Sequence, residues 1–191
     1  MSSPIGHSLA GYVFHTIRFR KFKPQGYRSL LLYIFMANAP DLDFLPGFLI
    51  GKPNLYHHGI SHSFGAAVIF SLCGTLLFQM KQYRSAVKAF GVYLSLYASH
   101  LILDFLCLDG RPPHGIPIFW PFTNEYYTFP VLPPIKHSLL DHATIGQFLS
   151  DAFSLHNLYV IFLECVFTVG LLLIFMLFRR MTSTQTHHSC N

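Results

Sequence analysis

Long apolar stretches alternate in this chain with short segments that hold most of its basic residues. Hydrophobic residues make up 52% of the sequence and charged residues only 11%, whereas a soluble domain usually carries about 25% charged residues. Such a chain has too little polar surface for water to be its only solvent. The length of 191 residues suits one domain. We therefore expect an all-α integral membrane protein.

Apolar periodicity and end signals predict about four membrane-inserted helices and a short amphipathic helix at the interface. Ser3 and Pro4 are a typical N-cap and first-turn pair for the first helix. The first two helices are short for full crossings, so one of them is expected to be only partly inserted. We expect a single membrane-embedded domain over residues 1–180 and a disordered tail over 181–191. The predicted elements are helices at 4–19, 29–39, 64–80, 86–108, 138–154 (amphipathic) and 157–178, with irregular loops at 40–59 and 109–134.

The basic residues predict the orientation. Ten of the 13 Lys and Arg residues fall at one set of helix ends, and the positive-inside tendency assigns those ends to the cytoplasm. We therefore expect a multi-pass protein of the inner membrane, with its histidines and aspartates toward the extracytoplasmic side. The net charge of +5 is then explained by topology, and we expect no nucleic-acid partner. The ten residues are Arg18, Arg20, Lys21, Lys23, Arg28, Lys81, Arg84, Lys88, Arg179 and Arg180.

Two acidic motifs lie near the opposite helix ends. His100 and Asp104 are four residues apart in an apolar helix, so both face one side, and ionisable groups at membrane depth are costly and usually functional. Asp41 and Asp43 flank a leucine after a helix end and could bind one cation or bridge two. Two alternatives stay open: a hydrogen-bonded pair that only locks helices together, and ordinary Pro-Asp turn chemistry.

A histidine cluster opens the next apolar helix. His57, His58 and His62 fall within six residues. Imidazole nitrogens suit zinc, manganese or iron, and each ring needs a partner that fixes its tautomer. Ser61 or Ser63 could be that partner or could cap the helix. A polar interfacial loop is the alternative.

These motifs occur in an order that resembles a known family. The chain is similar to the bacterial, membrane-bound, metal-dependent hydrolases of the YdjM type, whose pattern is T-H-x-x-x-G, P-D-x-D, H-R-G-x-T-H-S, s-H-x-x-x-D and then G-x-x-x-x-W-P-F. The resemblance covers roughly residues 6–130. The matching segments here are Gly6–Gly11 (GHSLAG), Pro40–Asp43 (PDLD), His57–Ser63 (HHGISHS), Ser99–Asp104 (SHLILD) and Gly115–Phe122 (GIPIFWPF).

Two departures from the family pattern bear on function. His58 replaces the family's Arg, and Ser61 replaces its Thr. If that Arg holds an anionic substrate, His58 could do so only weakly near neutral pH. Alternatively, His58 has become a metal ligand.

Motifs and resemblance together predict a membrane-embedded metal-dependent hydrolase that cleaves a lipid or lipid-linked phosphoester with metal-activated water. We expect one or two divalent ions, zinc first, with manganese or iron as alternatives. Six ligands exceed the usual four of one zinc, which suggests two ions or one ion and a general base. Asp43 and His58 are the expected catalytic proton acceptors. The expected ligands are His7, Asp41, His57, His62, His100 and Asp104.

Other functions remain open at this point. The same ligands would serve metal or proton transport or sensing, or a regulatory membrane protein with structural metal. The oligomeric state is also open. His137 and Asp141 repeat the His-x-x-x-Asp spacing and could form a second site, a lid or a solvated face. Glu125 could be a general base, and Glu164 could be protonated, paired with a histidine or facing a polar cavity.

Overall fold

The computed structural model describes residues 2–19, 26–52, 54–78, 85–108, 112–135 and 145–188, and the regular secondary structure of these residues is helical. Two isolated bridges, between Cys107 and Leu132 and between Ile116 and Tyr127, are the only β pairing in these residues. The helices are α1 (Pro4–Phe19), α2 (Tyr27–Asn38), α3 (Phe44–Leu49), α4 (Phe64–Leu77), α5 (Ala86–Leu106), α6 (Ile145–Ala152) and α7 (Leu155–His188), with 3₁₀ turns at Ala39–Asp43 and Ile60–His62.

Helices α1 and α2 form an antiparallel pair in close contact. The amide of Asn38 donates to Ser8 Oγ at one end of the pair, and His15 Nε2 lies 2.9 Å from Ser29 Oγ at the other. Between these contacts, a Cβ on Gly11 would lie 2.9 Å from the backbone oxygen of Tyr33. Glycine at this position therefore permits the two backbones to approach each other.

Helix α5 packs against α1, α2 and α4. It runs antiparallel to α4, since the Tyr93 hydroxyl donates to the backbone oxygen of Phe78 and Tyr97 packs against Phe70. It runs parallel to α2, with which it shares a core built around Tyr33 and Met36. As a result, α2 and α5 end where α1 and α4 begin. Helix α7 packs against α1.

Among the described residues, α5 is the one helix that is both long and apolar enough to cross a membrane. Helix α4 and the segment Leu155–Gly170 are apolar but shorter. The all-helical class is confirmed, whereas the four crossings stay a prediction.

Two regions differ from the prediction. The loop predicted over 40–59 contains a 3₁₀ turn and α3. Pro46 does not prevent this helix, because it lies in the first turn of α3, where no intrahelical N–H is needed. Helix α7 continues past Arg180 to His188, over most of the predicted tail, because that stretch contains no Pro or Gly to end it. The amphipathic segment is helical over Ile145–Ala152, while His137 and Asp141 lie outside the described residues.

Candidate metal centre

The structure brings all eight predicted site residues together where α1 and α4 begin and α2 and α5 end. The five histidines and Asp104 are buried, and the two other aspartates are half-buried. Four overlapping groups of three have ligand atoms within 4.8 Å of one another. Whether these residues bind metal stays a prediction. The groups are His57–His58–His62, His7–Asp41–His100, His62–His100–Asp104 and Asp41–Asp43–His57.

Three ligand atoms form a tight triangle at the centre of the cluster. His100 Nε2 lies 3.2 Å from His62 Nε2 and 3.1 Å from Asp104 Oδ2, and His62 Nε2 lies 3.3 Å from Asp104 Oδ2. Two ligand atoms on a tetrahedral zinc, at their usual bond lengths, are about 3.3 Å apart. Asp41 Oδ1 is 3.5 Å from His100 Nε2 and 3.7 Å from His62 Nε2. The triangle thus has the spacing of ligands to one ion, with Asp41 as a nearby fourth.

The far side of each imidazole in this triangle already has an acceptor. His100 Nδ1 lies 2.8 Å from the backbone oxygen of Ala37, and His62 Nδ1 lies 3.1 Å from Asp43 Oδ2. Because a carbonyl or carboxylate oxygen accepts, we assign the proton of each ring to Nδ1. The Nε2 lone pairs then point into the triangle, as in metal-bound histidines with an orienting partner.

Asp43 holds two histidines at once. In addition to the contact with His62, Asp43 Oδ1 lies 2.9 Å from His57 Nδ1. Asp43 Oδ2 accepts a hydrogen bond from the Ser61 hydroxyl at 2.7 Å. Burial acts to raise the pKa of the Asp43 carboxyl, but hydrogen bonds from His57 and His62 hold it well below its usual value. Burial and the neighbouring His58 together lower the pKa of His57 to about 3, although the hydrogen bond to Asp43 acts in the opposite direction. The pair is thus a carboxylate and a neutral imidazole, a state in which the ring can bind a cation.

Several buried polar atoms in the cluster make no hydrogen bond within the described part of the chain. They are Asp104 Oδ2, both carboxylate oxygens of Asp41 and both ring nitrogens of His7. Leaving such groups unsatisfied costs about 1–3 kcal/mol each. Lone pairs that face each other at 3.1–3.3 Å need a cation or a shared proton between them. The donor set of imidazole nitrogens and carboxylate oxygens fits a divalent ion.

His7 and His58 lie at the edge of the triangle. The His7 ring stacks on His100 with a centroid distance of 3.5 Å, and its Nε2 is 3.7 Å from Asp104 Oδ1. His58 Nε2 lies 3.9 Å from Asp104 Oδ2. The backbone of His58 has φ 63°, a left-handed conformation that few non-glycine residues adopt and that often marks functional positions.

A family profile described as "YdjM inner membrane protein" matches residues 1–182 and so includes the whole cluster. The chain belongs to the YdjM inner membrane protein family. The resemblance inferred from the order of motifs is therefore confirmed, and the chain is a member of a family of inner membrane proteins. No curated protein and no solved structure matched the chain.

The last family motif, GIPIFWPF, covers the start of α4 instead of entering the cluster. The amides of Phe64 and Gly65 donate to the backbone oxygens of Ile118 and Trp120, at 2.8 and 3.1 Å. A Cβ on Gly65 would lie 2.8 Å from that Trp120 oxygen. Since α4 begins two residues after His62, this contact fixes the helix that follows the histidine segment.

Sequence reasoning missed several groups that support the cluster. The Ser2 amide donates to Asp104 Oδ1 at 2.6 Å, the Tyr97 hydroxyl donates to the backbone oxygen of Ser61 at 2.7 Å, and the Phe44 ring stacks on His57. Only Tyr97 had a usable signal, because it precedes His100 by three residues and so lies on the same face of α5.

Glu125 and Glu164, whose roles the sequence analysis left open, have different surroundings. Glu125 is exposed, and its carboxylate accepts a hydrogen bond from the Tyr127 hydroxyl at 2.8 Å. Glu164 is fully buried and bonded to Ser3. Of the two, Glu164 is therefore the one connected to the helix that carries His7.

Proposed function

We propose that this protein is a membrane-embedded metal-dependent hydrolase that acts on a lipid or lipid-linked phosphoester. The observation that supports it best is the triangle of His62 Nε2, His100 Nε2 and Asp104 Oδ2 at 3.1–3.3 Å. A structural role alone does not require lone pairs to face each other in a buried site. A cation between them removes the repulsion.

The ligand sets divide naturally around Asp41. His62, His100 and Asp104, with Asp41, would hold one ion, and zinc suits this mixture of two imidazoles and two carboxylates. His7, His57 and His58 then remain for a second ion or for the substrate. When bound, a divalent ion would acidify a water molecule to a pKa of about 7 and polarise the scissile phosphoryl group.

The surroundings of the two proposed proton acceptors favour His58. Both oxygens of Asp43 already accept hydrogen bonds, from His57 and Ser61, so this carboxylate serves better to orient imidazoles than to take a proton. His58 lies at the edge of the triangle, with Nε2 3.9 Å from Asp104. A histidine there can accept a proton from an attacking water and return it to a leaving group.

The phosphoester assignment depends on where the cluster lies. It is at the end of α5, the helix best suited to cross the membrane, and therefore near the bilayer surface, where lipid phosphates are found. Large apolar side chains in adjoining segments are exposed: Leu49, at the end of the helix that follows Asp43, at 87%, and Phe122, at the end of the GIPIFWPF segment, at 89%. Such residues favour contact with lipid. We infer that the substrate enters from the bilayer.

The test combines metal content with catalysis. The protein is purified in detergent without chelators and assayed for phosphate release from short-chain phosphatidic acid and from a polyprenyl phosphate. We expect zinc-dependent hydrolysis that His62→Ala reduces at least about 100-fold, because the ligand is lost, while the exposed His114→Ala has wild-type activity. Bound metal without cleavage of either substrate would remove this substrate class.

Proton handling or metal transport is the second candidate. The specific observation in its favour is the 3.2 Å distance between His62 Nε2 and His100 Nε2, which a shared proton would also give. Proteoliposomes loaded with a pH-sensitive dye or a zinc-sensitive dye separate the two functions. Ion flux that His62→Ala abolishes, without hydrolysis, would favour transport.

A further inference from the structure

Glu164 is an acidic residue buried in the apolar helix α7, outside the predicted ligands. Its side chain is 0% exposed. The carboxylate accepts hydrogen bonds from the Ser3 amide, at 3.1 Å to Oε1 and 3.0 Å to Oε2, and from the Ser3 hydroxyl. A buried carboxylate is expensive unless it is fully paired. This one accepts hydrogen bonds from Ser3, the residue just before α1, and its Oε1 also lies 4.0 Å from Cys107 Sγ.

The Ser3 side chain transmits this contact into the helix. Its hydroxyl oxygen accepts a hydrogen bond from the Gly6 amide at 3.0 Å, as an N-cap does. A Cβ on Gly6 would lie 2.8 Å from Glu164 Oε2. Glycine at position 6 therefore leaves the space in which the carboxylate of α7 reaches the first turn of α1.

Two contacts link this arrangement to the cluster. The His7 amide donates to the Ser3 backbone oxygen at 3.1 Å, so fixing Ser3 fixes the turn that carries the His7 ring. The adjoining Ser2 amide donates to Asp104 Oδ1 at 2.6 Å. This bond occupies one Asp104 oxygen and leaves Oδ2 directed at His62 and His100.

We propose that Glu164 is a positioning residue for the metal centre: by holding Ser3 from α7, it sets the His7 ring and the orientation of the Asp104 carboxylate. This inference rests on the proposed function, since it assigns Glu164 a role in metal binding. It adds a fifth helix to a centre that the motifs build from α1, α2, α4 and α5. Glu164 touches neither the ion nor the substrate.

The experiment compares two independent ways of disturbing the contact, each with a matched control. Glu164→Ala removes the acceptor, and Thr168→Val alters a buried polar side chain one turn further along α7. Gly6→Ala removes no polar group but crowds Glu164 Oε2, and Gly170→Ala adds a methyl group where nothing lies within 4 Å. Full-length proteins in detergent are titrated with Zn²⁺ and, separately, with Co²⁺ for its ligand-field spectrum.

We expect Glu164→Ala and Gly6→Ala to weaken Zn²⁺ binding roughly 10- to 100-fold, the usual loss for a supporting residue. Both should change the Co²⁺ spectrum, because the ligand geometry changes, and Glu164→Gln should recover part of the affinity by restoring one acceptor oxygen. Thr168→Val and Gly170→Ala should match the wild type. Hydrogen exchange should show faster exchange of the Ser3 and Gly6 amides in Glu164→Ala.

Two results would overturn the inference and are distinguishable. If the wild type binds metal and both test variants have wild-type affinity and spectrum, Glu164 has no positioning role and the metal centre stands. If the wild type binds neither Zn²⁺ nor Co²⁺, the proposed function fails and the inference fails with it. If Glu164→Ala does not fold, the Zn²⁺ affinity and Co²⁺ spectrum of Gly6→Ala and Glu164→Gln test the positioning role.

Discussion

At the scale of the residue, Asp43 shows how a side chain outside the ligand triangle governs it. One oxygen is within hydrogen-bonding distance of His57 Nδ1 and the other of His62 Nδ1. These contacts fix the tautomer of both rings, and a fixed Nδ1 proton leaves Nε2 available for a cation. The aspartate predicted as a proton acceptor thus lies where an orienting carboxylate would.

We predict that Asp43→Asn weakens Zn²⁺ binding roughly 10- to 100-fold. The amide has one acceptor oxygen in place of two, so only one of the two histidine rings keeps its partner. Isothermal titration with a competing chelator measures the change. Glu125→Gln, the same kind of substitution at an exposed acid, should leave the affinity unchanged. Equal affinities for Asp43→Asn and the wild type would refute the orienting role.

The sequence predicted which histidines and aspartates form the cluster, but not which groups orient them. Histidines and aspartates in apolar surroundings are conspicuous, and His100 and Asp104 share a face by spacing alone. The contacts of Ser2 and Ala37 involve backbone groups, which leave no spacing pattern in a sequence. Their roles depend on distant segments meeting in the folded chain.

At the scale of the element, end signals predicted most of the helices but missed α3. The bounds of α1 follow from its Ser-Pro start and agree with the structure. Helix α3 was missed because a six-residue element containing Pro and Gly has no usable periodicity. Its start was equally hidden, since α3 continues directly from a 3₁₀ turn at Asp43.

The contact between α4 and the GIPIFWPF segment gives a prediction about stability. A Cβ on Gly65 would lie 2.8 Å from the backbone oxygen of Trp120 and 3.0 Å from Pro121 Cδ. We therefore expect Gly65→Ala to cost about 1–3 kcal/mol, as overpacking does, and to lower the unfolding temperature measured in detergent. Gly91→Ala, in α5 with nothing within 4 Å, should not lower it. Equal unfolding temperatures for the two variants would contradict this prediction and would show that the GIPIFWPF segment can shift to accommodate the added methyl group.

At the scale of the whole molecule, the alternating helix directions place one set of ends at the cluster. Arg28 and Lys88 lie near the starts of α2 and α5, at the opposite ends. The orientation predicted from the basic residues puts the cluster outside the cytoplasm. It stays a prediction, because the family description gives the inner membrane but no sidedness.

Cysteine labelling in intact cells tests the orientation. In a cysteine-free variant, we predict that a membrane-impermeant maleimide labels His114→Cys and Asn124→Cys, exposed polar positions that flank the GIPIFWPF segment at the start of α4. Val87→Cys, exposed beside Lys88, should react only after the membrane is permeabilised. The reverse pattern would place the cluster in the cytoplasm and would contradict the positive-inside argument.

The central claim is that the buried cluster binds metal, and metal content per chain tests it most directly. Elemental mass spectrometry is applied to the wild type and to the double variant His100→Ala, Asp104→Ala, both prepared without chelators. The account predicts about one or two equivalents of zinc, manganese or iron in the wild type and their loss in the double variant. Absence of metal from a correctly folded wild type would contradict the account and leave a hydrogen-bonded or proton-handling cluster in its place.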